Sequence, residues 1–402
     1  MTTPDIYLDY AATTPLDERV LEAMLPHLRQ THGNPNSLYH RGRIAHQALE
    51  NARESVAALI GAAYPSGVTF TGCGTESDNA AVIGIAEAVR RQSGRSHVVI
   101  SAFEHHAVLE PAEALVKRGF ELVTVGPRPD GVVHAEDLER VVTDRTALVS
   151  IMHVNNEIGT IMPLAALVEV AHTRGALFHS DTIQSVGKID MNVARLGLDA
   201  ASLSAHKIYG PKGVGALYLK RGTPFVPYLM GGGQEFKHRS GTQNVAGAAG
   251  LAAALEIIER ERPEESVRLA TLRDRMVDAI LTGIPDTDLH GSREALVPHI
   301  ANLSLVGVEG ESMLLQLDQK GIAVATGSAC SSGSLQPSHV LLAIGVDPDS
   351  AHASLRLSVG RYTTDEDVER FIAELPPIVE RLRSLSPAYQ RSQGAAQRDG
   401  RR

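Results

Sequence analysis

The sequence predicts an α/β protein with a large domain, built on a mostly parallel sheet that helices cover on both faces, and a smaller α+β domain. Three observations lead to this prediction. The chain has 402 residues, which is enough for two cores. From Val68 onward, apolar strands alternate with amphipathic helices, as is typical of parallel sheets. A charge-dense stretch at residues 259–265 then interrupts this alternation, and we place a domain boundary there.

The elements before the charged stretch begin with a short strand, Ile6–Tyr10, and a turn into a helix. Apolar residues then recur at helical spacing from Ile44 to Ile60, and Gly61 ends that helix. The next predicted segments are strand 68–70, helix 79–90, strand 97–101, helix 107–118, strand 121–125, helix 136–142, strand 147–154, helix 164–174, strand 176–179, strand 198–203 and strand 214–219.

The elements after the charged stretch have a different order, which suits an α+β domain. They are helix 267–281, strand 301–306, helix 311–320, strand 322–325, strand 354–359 and helix 365–382. We therefore expect a large domain at residues 16–261 and a smaller domain made of residues 1–15 and 262–388. Residues 389–402 show no periodicity, and we predict that they are disordered.

Composition excludes several functional classes. A net charge of −9, a sequence with no Trp and an aromatic content of 4% argue against direct binding to nucleic acid or to an anionic membrane. The longest apolar stretch, Val245–Leu255, is too short to span a bilayer and reads as a buried helix. No secretory signal is visible, and the two cysteines, Cys73 and Cys330, form neither a disulfide framework nor a spaced metal site. We expect a reducing, cytoplasmic setting.

Lys207 is the residue around which the candidate site is organised. It ends the segment Ser204–Lys207, which follows a buried strand and precedes a loop rich in Gly and Pro. Desolvation disfavours the ammonium form, and the free amine can form a Schiff base with a carbonyl. The alternatives are that Lys207 reaches the surface, or that it binds an anion together with Lys212.

The segment Thr71–Asn79 lies between a strand and a helix and is a candidate phosphate site. Its glycines, Gly74 among them, allow close approach of a ligand, and a helix N-terminus offers N–H groups to a phosphate. The alternative is structural: Thr75 and Asp78 have the spacing of a capping box, which would stabilise the helix without any ligand.

Further polar residues follow the ends of other strands, where ligands bind in open α/β sheets. One of these residues, Asp181, has a carboxylate that can keep a pyridine nitrogen protonated, although it can also cap a turn. The residues are His105 and His106, between which the sequence does not choose, then Asn155, Asp181 and Gln184. Together with the lysine and the phosphate site, they match what pyridoxal phosphate needs.

Two residues of the smaller domain are also candidates. Cys330 lies in a Gly/Ser-rich segment, residues 325–334, which we expect to be mobile; it is either a travelling nucleophile or an incidental small residue. Arg356 alternates with apolar neighbours and either binds a substrate carboxylate or makes an ordinary ion pair. Cys73 is interpreted as a small packed residue beside the phosphate site.

Motifs along nearly the whole chain resemble those of the cysteine desulfurases in the class V aminotransferase group, in particular the branch that serves iron–sulfur cluster assembly. The resemblance ends near Ala388. In chain order the motifs are YLDYAATTP, GNPNSLYH, TGCGTESDN, EHHAVLE, SIMHVNNEIG, DTIQSVGK, SAHKIYGPKG, RSGTQN, TGSACSSG and LRLSVGRYT. The departures are small: Cys73 stands where the family usually has Gly or another small residue, and the spacing from Asp181 to Gln184 is kept.

The resemblance implies the pyridoxal phosphate fold of type I, with a seven-stranded sheet, and a role for each candidate. Lys207 would bind the cofactor covalently, Asp181 would pair with its pyridine nitrogen, and His105 would stack on its ring and move protons. The phosphate would contact Thr75, Ser204 and His206, with Gly74 beside it and Thr242 reaching in from the other subunit of a homodimer. Gln184 and Asn155 would hold the ring hydroxyl, Arg356 would bind the cysteine carboxylate with Asn155 nearby, and Cys330 would accept the sulfur.

The implied activity removes sulfur from L-cysteine, gives L-alanine and leaves a persulfide on Cys330 for acceptor proteins. Those acceptors would include an iron–sulfur cluster scaffold, with tRNA thiolation as a second destination. The alternatives are a related transaminase or lyase of the same group, including a selenocysteine lyase, and a non-catalytic sulfur carrier. A metal-dependent hydrolase is a fourth interpretation, but the histidines lack a compact ligand motif such as HExxH, so we expect no metal.

Overall fold

The structure is a computed structural model that describes residues 5–327, 336–387 and 389–390. Its strands are β1 (Ile6–Tyr7), β2 (Val68–Thr71), β3 (His97–Ser101), β4 (Glu121–Val125), β5 (Thr146–Ser150), β6 (Leu177–Asp181), β7 (Ala200–Ser204), β8 (Gly215–Leu219), β9 (Thr287–Leu289), β10 (Ile300–Leu305), β11 (Ile322–Ala323) and β12 (Ser354–Ser358). Its helices are α1 (Glu18–Arg29), α2 (His40–Leu59), α3 (Gly74–Ser93), α4 (His106–Val116), α5 (Ala135–Glu139), α6 (Leu164–Thr173), α7 (Val193–Leu196), α8 (Val245–Gly283), α9 (Gly310–Asp318), α10 (His339–Ala343), α11 (Pro348–His352) and α12 (Asp365–Ser384).

The main sheet has seven described strands in the order β2-β8-β7-β6-β5-β3-β4, and within this sheet β8 alone runs in the direction opposite to the other six. Successive residues of β3 point to opposite faces, so Val99 joins one hydrophobic core and Val98 and Ile100 join another. Burial on both faces explains why the strands read as continuous apolar runs. The predicted mostly parallel, seven-stranded sheet with helices on both faces is confirmed.

A second, smaller α+β unit follows the main sheet and confirms the other half of the predicted fold class. Strands β9, β10 and β12 form an antiparallel sheet in the order β12-β10-β9, while β1 pairs in parallel with β11. Leu303, Leu355 and Phe371 belong to its separate hydrophobic core. Because Asp9 also bridges to Ser358 at the end of β12, the first residues of the chain are attached to this unit.

The charge-dense stretch lies inside a helix, which the sequence did not predict. Helix α8 runs without a break for 39 residues and contains Pro263, where separate helices at 245–255 and 267–281 were expected. Its charged residues lie between two cores, since Ile258 packs in the first and Leu269 in the second. The predicted boundary at residue 262 therefore falls in mid-helix and stays a prediction. Neither α8 nor any other helix of the described residues has an apolar stretch long enough to cross a membrane.

The predicted disordered tail, residues 389–402, lies outside the described residues except for 389 and 390. Tyr389 donates a hydrogen bond from its hydroxyl to Asp286, at 2.7 Å, and its ring lies under the guanidinium of Arg383, 4.7 Å away. Ordered packing therefore extends at least to residue 389.

Candidate active site

One cavity of about 250 Å³ lies at the edge of the main sheet where the carboxyl ends of β6 and β7 meet the beginning of α3. This is the edge at which open α/β sheets bind ligands. Most of the predicted site residues line the cavity: Gly74, Thr75, His105, Asp181, Gln184, Ser204, His206, Lys207 and Arg356. Residues at strand ends and helix starts that are far apart in the sequence therefore line one cavity.

Lys207 enters the cavity from a short 3₁₀ turn, Ala205–Lys207, that directly follows β7. Its Nζ donates hydrogen bonds to the backbone carbonyls of Ala11, at 2.6 Å, and Ala12, at 2.8 Å. The alternative in which Lys207 reaches the surface does not describe this structure. The two carbonyls belong to the turn after β1, so the N-terminal segment helps to aim the amine.

Asp181 ends β6 and lies on the floor of the cavity. Its Oδ1 accepts a hydrogen bond from the backbone N–H of Ile183, at 2.9 Å. Burial raises the pKa of Asp181 to about 6, while the Ile183 hydrogen bond and the charge of Lys207 oppose that rise. The neighbouring Gln184 donates from Nε2 to the Ala11 carbonyl, at 2.9 Å, so both side chains are held by backbone groups.

The helix start predicted to bind phosphate opens on the cavity, but its cap is not the predicted one. Helix α3 begins at Gly74, and its N-cap is Cys73, whose Sγ accepts from the N–H of Glu76 at 3.4 Å. The capping box of Thr75 and Asp78 is therefore wrong. Because the first N–H groups of a helix have no partner within it, this end of α3 retains donors for an anion.

Ser204 and His206 complete the same end of the cavity. The Ser204 hydroxyl is buried and has no hydrogen-bond partner among the described residues. His206 Nδ1 lies 3.1 Å from the Thr13 hydroxyl, and burial, followed by the charges of Lys207 and Lys212, lowers the pKa of His206 to about 4. An unpartnered buried hydroxyl and a neutral imidazole are both suited to hydrogen-bond a ligand oxygen.

His105, and not its neighbour His106, lines the cavity. It is the N-cap of α4, with Nδ1 accepting from the N–H of Ala107 at 3.1 Å. Burial lowers the pKa of His105 to about 4, and the charge of Lys207 contributes. We assign the hydrogen of the neutral ring to Nε2, because Nδ1 is an acceptor here. His106 instead stacks against His339, with ring centroids 5.1 Å apart.

Arg356 reaches the cavity from β12, whose neighbouring residues Leu355 and Leu357 point into the core of the smaller unit. Its Nη2 pairs with Asp9 Oδ1 at 2.8 Å, and its Nη1 donates to the Asn156 carbonyl at 3.1 Å. Its Nε is buried with no hydrogen-bond partner among the described residues. A buried guanidinium with an unused donor suits a carboxylate ligand.

Two predicted site residues do not line the cavity. Asn155 is fully buried, and its Oδ1 accepts from the N–H groups of Glu157, at 2.9 Å, and Ile158, at 3.0 Å. The structure differs from the prediction here because the amide closes the turn after β5, as Asn side chains often do. Thr242 is exposed on the single chain and contributes nothing to this cavity.

Cys330 lies outside the described residues, but the chain on both sides of residues 328–335 is fixed. The Gly327 N–H donates to Ser354 Oγ at 3.3 Å, and Ser338 Oγ donates to Glu157 Oε2 at 2.5 Å. A Cβ placed on Gly327 would come within 3.3 Å of the Ser338 Cβ. The segment that carries Cys330 therefore starts and ends at one place, beside the loop that follows β5.

Sequence reasoning missed three contributors to the site: the Ala11 and Ala12 carbonyls, the helix-capping role of Cys73, and Asp78. Backbone carbonyls leave no side-chain signal, so the first could not be found. A lone cysteine is an unusual cap, and the spacing of Thr75 and Asp78 suggested another one. Asp78 is buried and lines the cavity. An acid near the start of a helix is common, and burial was the only property that distinguished it.

Comparisons with known proteins agree with this arrangement. The sequence model of the family described as Aminotransferase class-V matches residues 6–371. A cysteine desulfurase IscS from Dictyoglomus turgidum is 47% identical over 386 residues, which cover 96% of this chain and 97% of the relative. The cysteine desulfurase IscS 1 of Archaeoglobus fulgidus is 45% identical over 385 residues, covering 96% of this chain and 100% of that one.

Solved structures show the same similarity. A NifS-like protein superposes with a TM-score of 0.87 at 37% identity, covering 94% of this chain and 99% of that chain. A structure described as SspA in complex with cysteine superposes with a TM-score of 0.78 at 32% identity, covering 89% of this chain and 100% of that one.

Proposed function

The chain belongs to the aminotransferase class-V family and is one of its cysteine desulfurases, and we propose that it takes sulfur from L-cysteine, releases L-alanine and carries the sulfur as a persulfide of Cys330. One observation of this structure carries the proposal. A single cavity brings together an amine, a buried acid, a neutral histidine and a buried guanidinium, from Lys207, Asp181, His105 and Arg356. These are the groups needed to hold an amino acid and to move a proton at its Cα.

The cavity fits pyridoxal phosphate, on which class V enzymes depend. The unpartnered Ser204 hydroxyl and the start of α3 offer donors to a phosphate at one end. The carboxyl of Asp181 lies on the floor, where a pyridine nitrogen needs a negative partner, and the Lys207 amine enters the same space. Acid, amine and phosphate donors are therefore all present in one cavity.

Residues that line the cavity would hold the cofactor. Thr75, Ser204 and His206, with the backbone at Gly74, would bind the phosphate, and Asp181 would pair with the pyridine nitrogen. Gln184 would contact the ring hydroxyl, His105 the ring and Lys207 the aldehyde carbon. Asn155 supports the wall through its own loop rather than through a cavity-facing amide.

Bound pyridoxal phosphate supplies an aldehyde that captures the substrate amino group and a ring that draws electron density from the substrate Cα. Lys207 would hold the cofactor by its aldehyde carbon, and its amine would accept the proton from the substrate Cα. His105 is neutral at physiological pH and is the second proton carrier beside the substrate. Arg356 would orient the substrate by its carboxylate, because its side chain lines the cavity.

The sulfur leaves by transfer to Cys330. Its thiolate forms an S–S bond with the substrate sulfur while the bond from that sulfur to Cβ breaks. The electron pair of the broken bond stays on the carbon side, which takes up a proton and leaves as the methyl group of alanine. Gly327 and Ser338, the described residues that flank the Cys330 segment, lie beside each other and next to Glu157.

Product analysis tests this function. The purified protein, incubated with L-cysteine and a thiol acceptor, is expected to release alanine and transferred sulfur in equal amounts. A transaminase would give a keto acid instead, and a lyase of another kind would release sulfide without labelling Cys330. Equal turnover of selenocysteine would indicate a selenocysteine lyase. Activity that follows a bound metal and not the visible absorbance of pyridoxal phosphate would support a metal-dependent hydrolase.

We also propose that the enzyme acts as a cytoplasmic homodimer that passes sulfur to acceptor proteins, an iron–sulfur cluster scaffold among them. Exposed Thr242 supports the dimer, since its segment would reach a phosphate site only in another copy of the chain. Large exposed apolar residues on the same segment, Met230 and Phe236, support it as well. A reducing compartment suits a reaction that depends on a free thiol. Sedimentation of the purified protein tests the dimer.

A further inference from the structure

A second carboxyl group shares the floor of the cavity with Asp181. Asp78, in the second turn of α3, lines the same cavity and has none of its side chain exposed. Neither of its carboxylate oxygens has a hydrogen-bond partner by strict geometry among the described residues. Burying a carboxylate without a partner is costly, so this side chain needs a physical explanation.

The nearby histidine does not provide a positive charge. His179 Nε2 lies 3.7 Å from Asp78 Oδ1, but that nitrogen is also 3.0 Å from Ser202 Oγ, and Nδ1 is 2.8 Å from Ser150 Oγ. Complete burial lowers the pKa of His179 to about 3, so its ring is neutral at physiological pH. The contact between His179 and Asp78 is therefore not an ion pair.

A third buried acid, Glu104, interacts electrostatically with Asp78. Glu104, just before His105, is fully buried, and its Oε1 accepts from Ser101 Oγ and from the Met152 N–H. Burial raises the pKa of Glu104 to about 8. Asp78, Glu104 and Asp181 thus form a group of three buried acids. The charge of each affects the pKa of another, and like charges that interact in a buried site are not all ionised together.

We propose that Asp78 is a positioning residue that stays protonated and thereby confines the negative charge of the cavity floor to Asp181. The inference rests on the proposed function, because the purpose of that single charge is to pair with one pyridine nitrogen. A neutral Asp78 explains why its carboxyl tolerates complete burial beside a neutral histidine. A protonated carboxyl also carries an O–H group that can donate a hydrogen bond.

Most of the groups around Asp78 raise its pKa and so favour its protonated form. Burial raises its pKa well above the ordinary value, and the charge of Asp181 raises it further, with smaller effects of Glu104 and Cys73. The Ser202 hydroxyl acts in the opposite sense. Lys207, the cation of the cavity, lowers the pKa of Asp181. The proton is therefore expected on Asp78 and the charge on Asp181.

Infrared spectroscopy of the holoenzyme tests the protonation directly. The difference spectrum between wild type and Asp78→Asn at neutral pH should show the loss of one carbonyl band of a protonated carboxyl group, and Glu104→Gln should remove a separate one. A spectrum in which Asp78→Asn removes only a carboxylate band would overturn the proposal. Failure of the proposed function is distinguishable, because the preparation would then lack the visible absorbance of bound pyridoxal phosphate.

A pair of variants of similar size tests the positioning role. Asp78→Asn keeps a neutral donor, so its dissociation constant for pyridoxal phosphate should stay within about twofold of wild type, and the pH dependence of the bound cofactor's absorbance should be unchanged. Asp78→Leu removes the donor and should weaken cofactor binding by about tenfold or more. Thermal unfolding of both variants without cofactor detects a mere folding defect. A well-folded Asp78→Asn that loses cofactor tenfold would show that the charge of Asp78 is needed, and the proposal would be wrong.

Discussion

The two units of the molecule contribute to the site in different ways. The seven-stranded sheet presents Asp181, Ser204 and Lys207 directly at the ends of adjacent parallel strands. The three-stranded sheet reaches the same cavity with one side chain, Arg356, from the middle of an antiparallel strand. In the proposed function, the first arrangement collects groups for a cofactor, and the second adds a group for the substrate. The difference teaches that cofactor binding and substrate handling rest on separate parts of the fold.

The largest loss of activity is expected from Lys207→Ala, which changes the cofactor-binding part of the site. Removing the amine that binds the aldehyde should reduce alanine formation below detection and weaken retention of pyridoxal phosphate. Lys212→Ala is the matched control, since Lys212 is an exposed lysine five residues further along the chain. Alanine release and visible absorbance are the measurements. If both variants lost alanine release and visible absorbance equally, the role given to Lys207 would be wrong.

Cys330→Ser should distinguish sulfur transfer from cofactor binding most clearly. Persulfide formation should be lost, because serine cannot accept sulfur, whereas the visible spectrum of the bound cofactor should be unchanged. Cys73→Ser controls for loss of a thiol near the cavity and should keep sulfur transfer. Mass spectrometry of the protein after reaction with cysteine measures the persulfide. Sulfur transfer that persists in Cys330→Ser would contradict the role given to this residue.

Arg356→Gln should affect substrate and spare the cofactor. Loss of a buried, charge-assisted contact to the carboxylate is expected to lower kcat/KM for cysteine by about a hundredfold. Cofactor affinity should stay the same, since the guanidinium lies on the smaller unit. Cysteamine, which lacks the carboxylate, is the control substrate and should react equally with both proteins. A loss of cofactor in this variant would contradict the proposal that Arg356 acts on the substrate alone.

Asp9→Asn tests a weaker contribution of the smaller unit. The carboxylate of Asp9 holds Arg356 Nη2 at 2.8 Å, so its loss should let the guanidinium move and raise KM for cysteine by about tenfold, with kcat little changed. Steady-state kinetics separate the two constants. An equal fall in kcat without a change in KM would indicate that Asp9 acts on the reacting groups instead.

The smallest effect is a pH dependence in the larger unit. Burial raises the pKa of Asp181 to about 6, so its carboxyl gains a proton as the pH falls through that value. Affinity for pyridoxal phosphate should therefore be highest above pH 6 and should drop by about threefold between pH 7 and pH 5.5. Titration of the absorbance measures this. The Asp181→Asn variant should bind pyridoxal phosphate more weakly at every pH in this range, and its affinity should no longer change as the pH passes through 6.

The sequence predicted the larger unit better than the smaller one. Strands β3 and β4 have the predicted bounds, because apolar runs between turn residues leave little choice of ends. Their parallel order then brings polar residues at strand ends together without further information. The contact between Arg356 and Asp9 depends on residues 347 positions apart, and no local pattern shows it.

The failures in the larger unit have local causes. The charged residues near Pro263 read as a break, but a helix that passes from one core to another needs no apolar face between them. Asn155 follows a strand, as several cavity-lining residues do, yet its amide closes its own turn. The antiparallel direction of β8 was also missed, although the loop after β7 is too short for a parallel crossover.

Reductive trapping followed by peptide mapping tests the central claim most directly. Borohydride treatment of the protein loaded with pyridoxal phosphate should fix the cofactor on one lysine, and the account predicts that this lysine is Lys207. Lys188 is the informative competitor, because it is buried and burial lowers its pKa to about 7, but it lies outside the cavity. Label on Lys188, or a protein that stays colourless and unlabelled, would contradict the account.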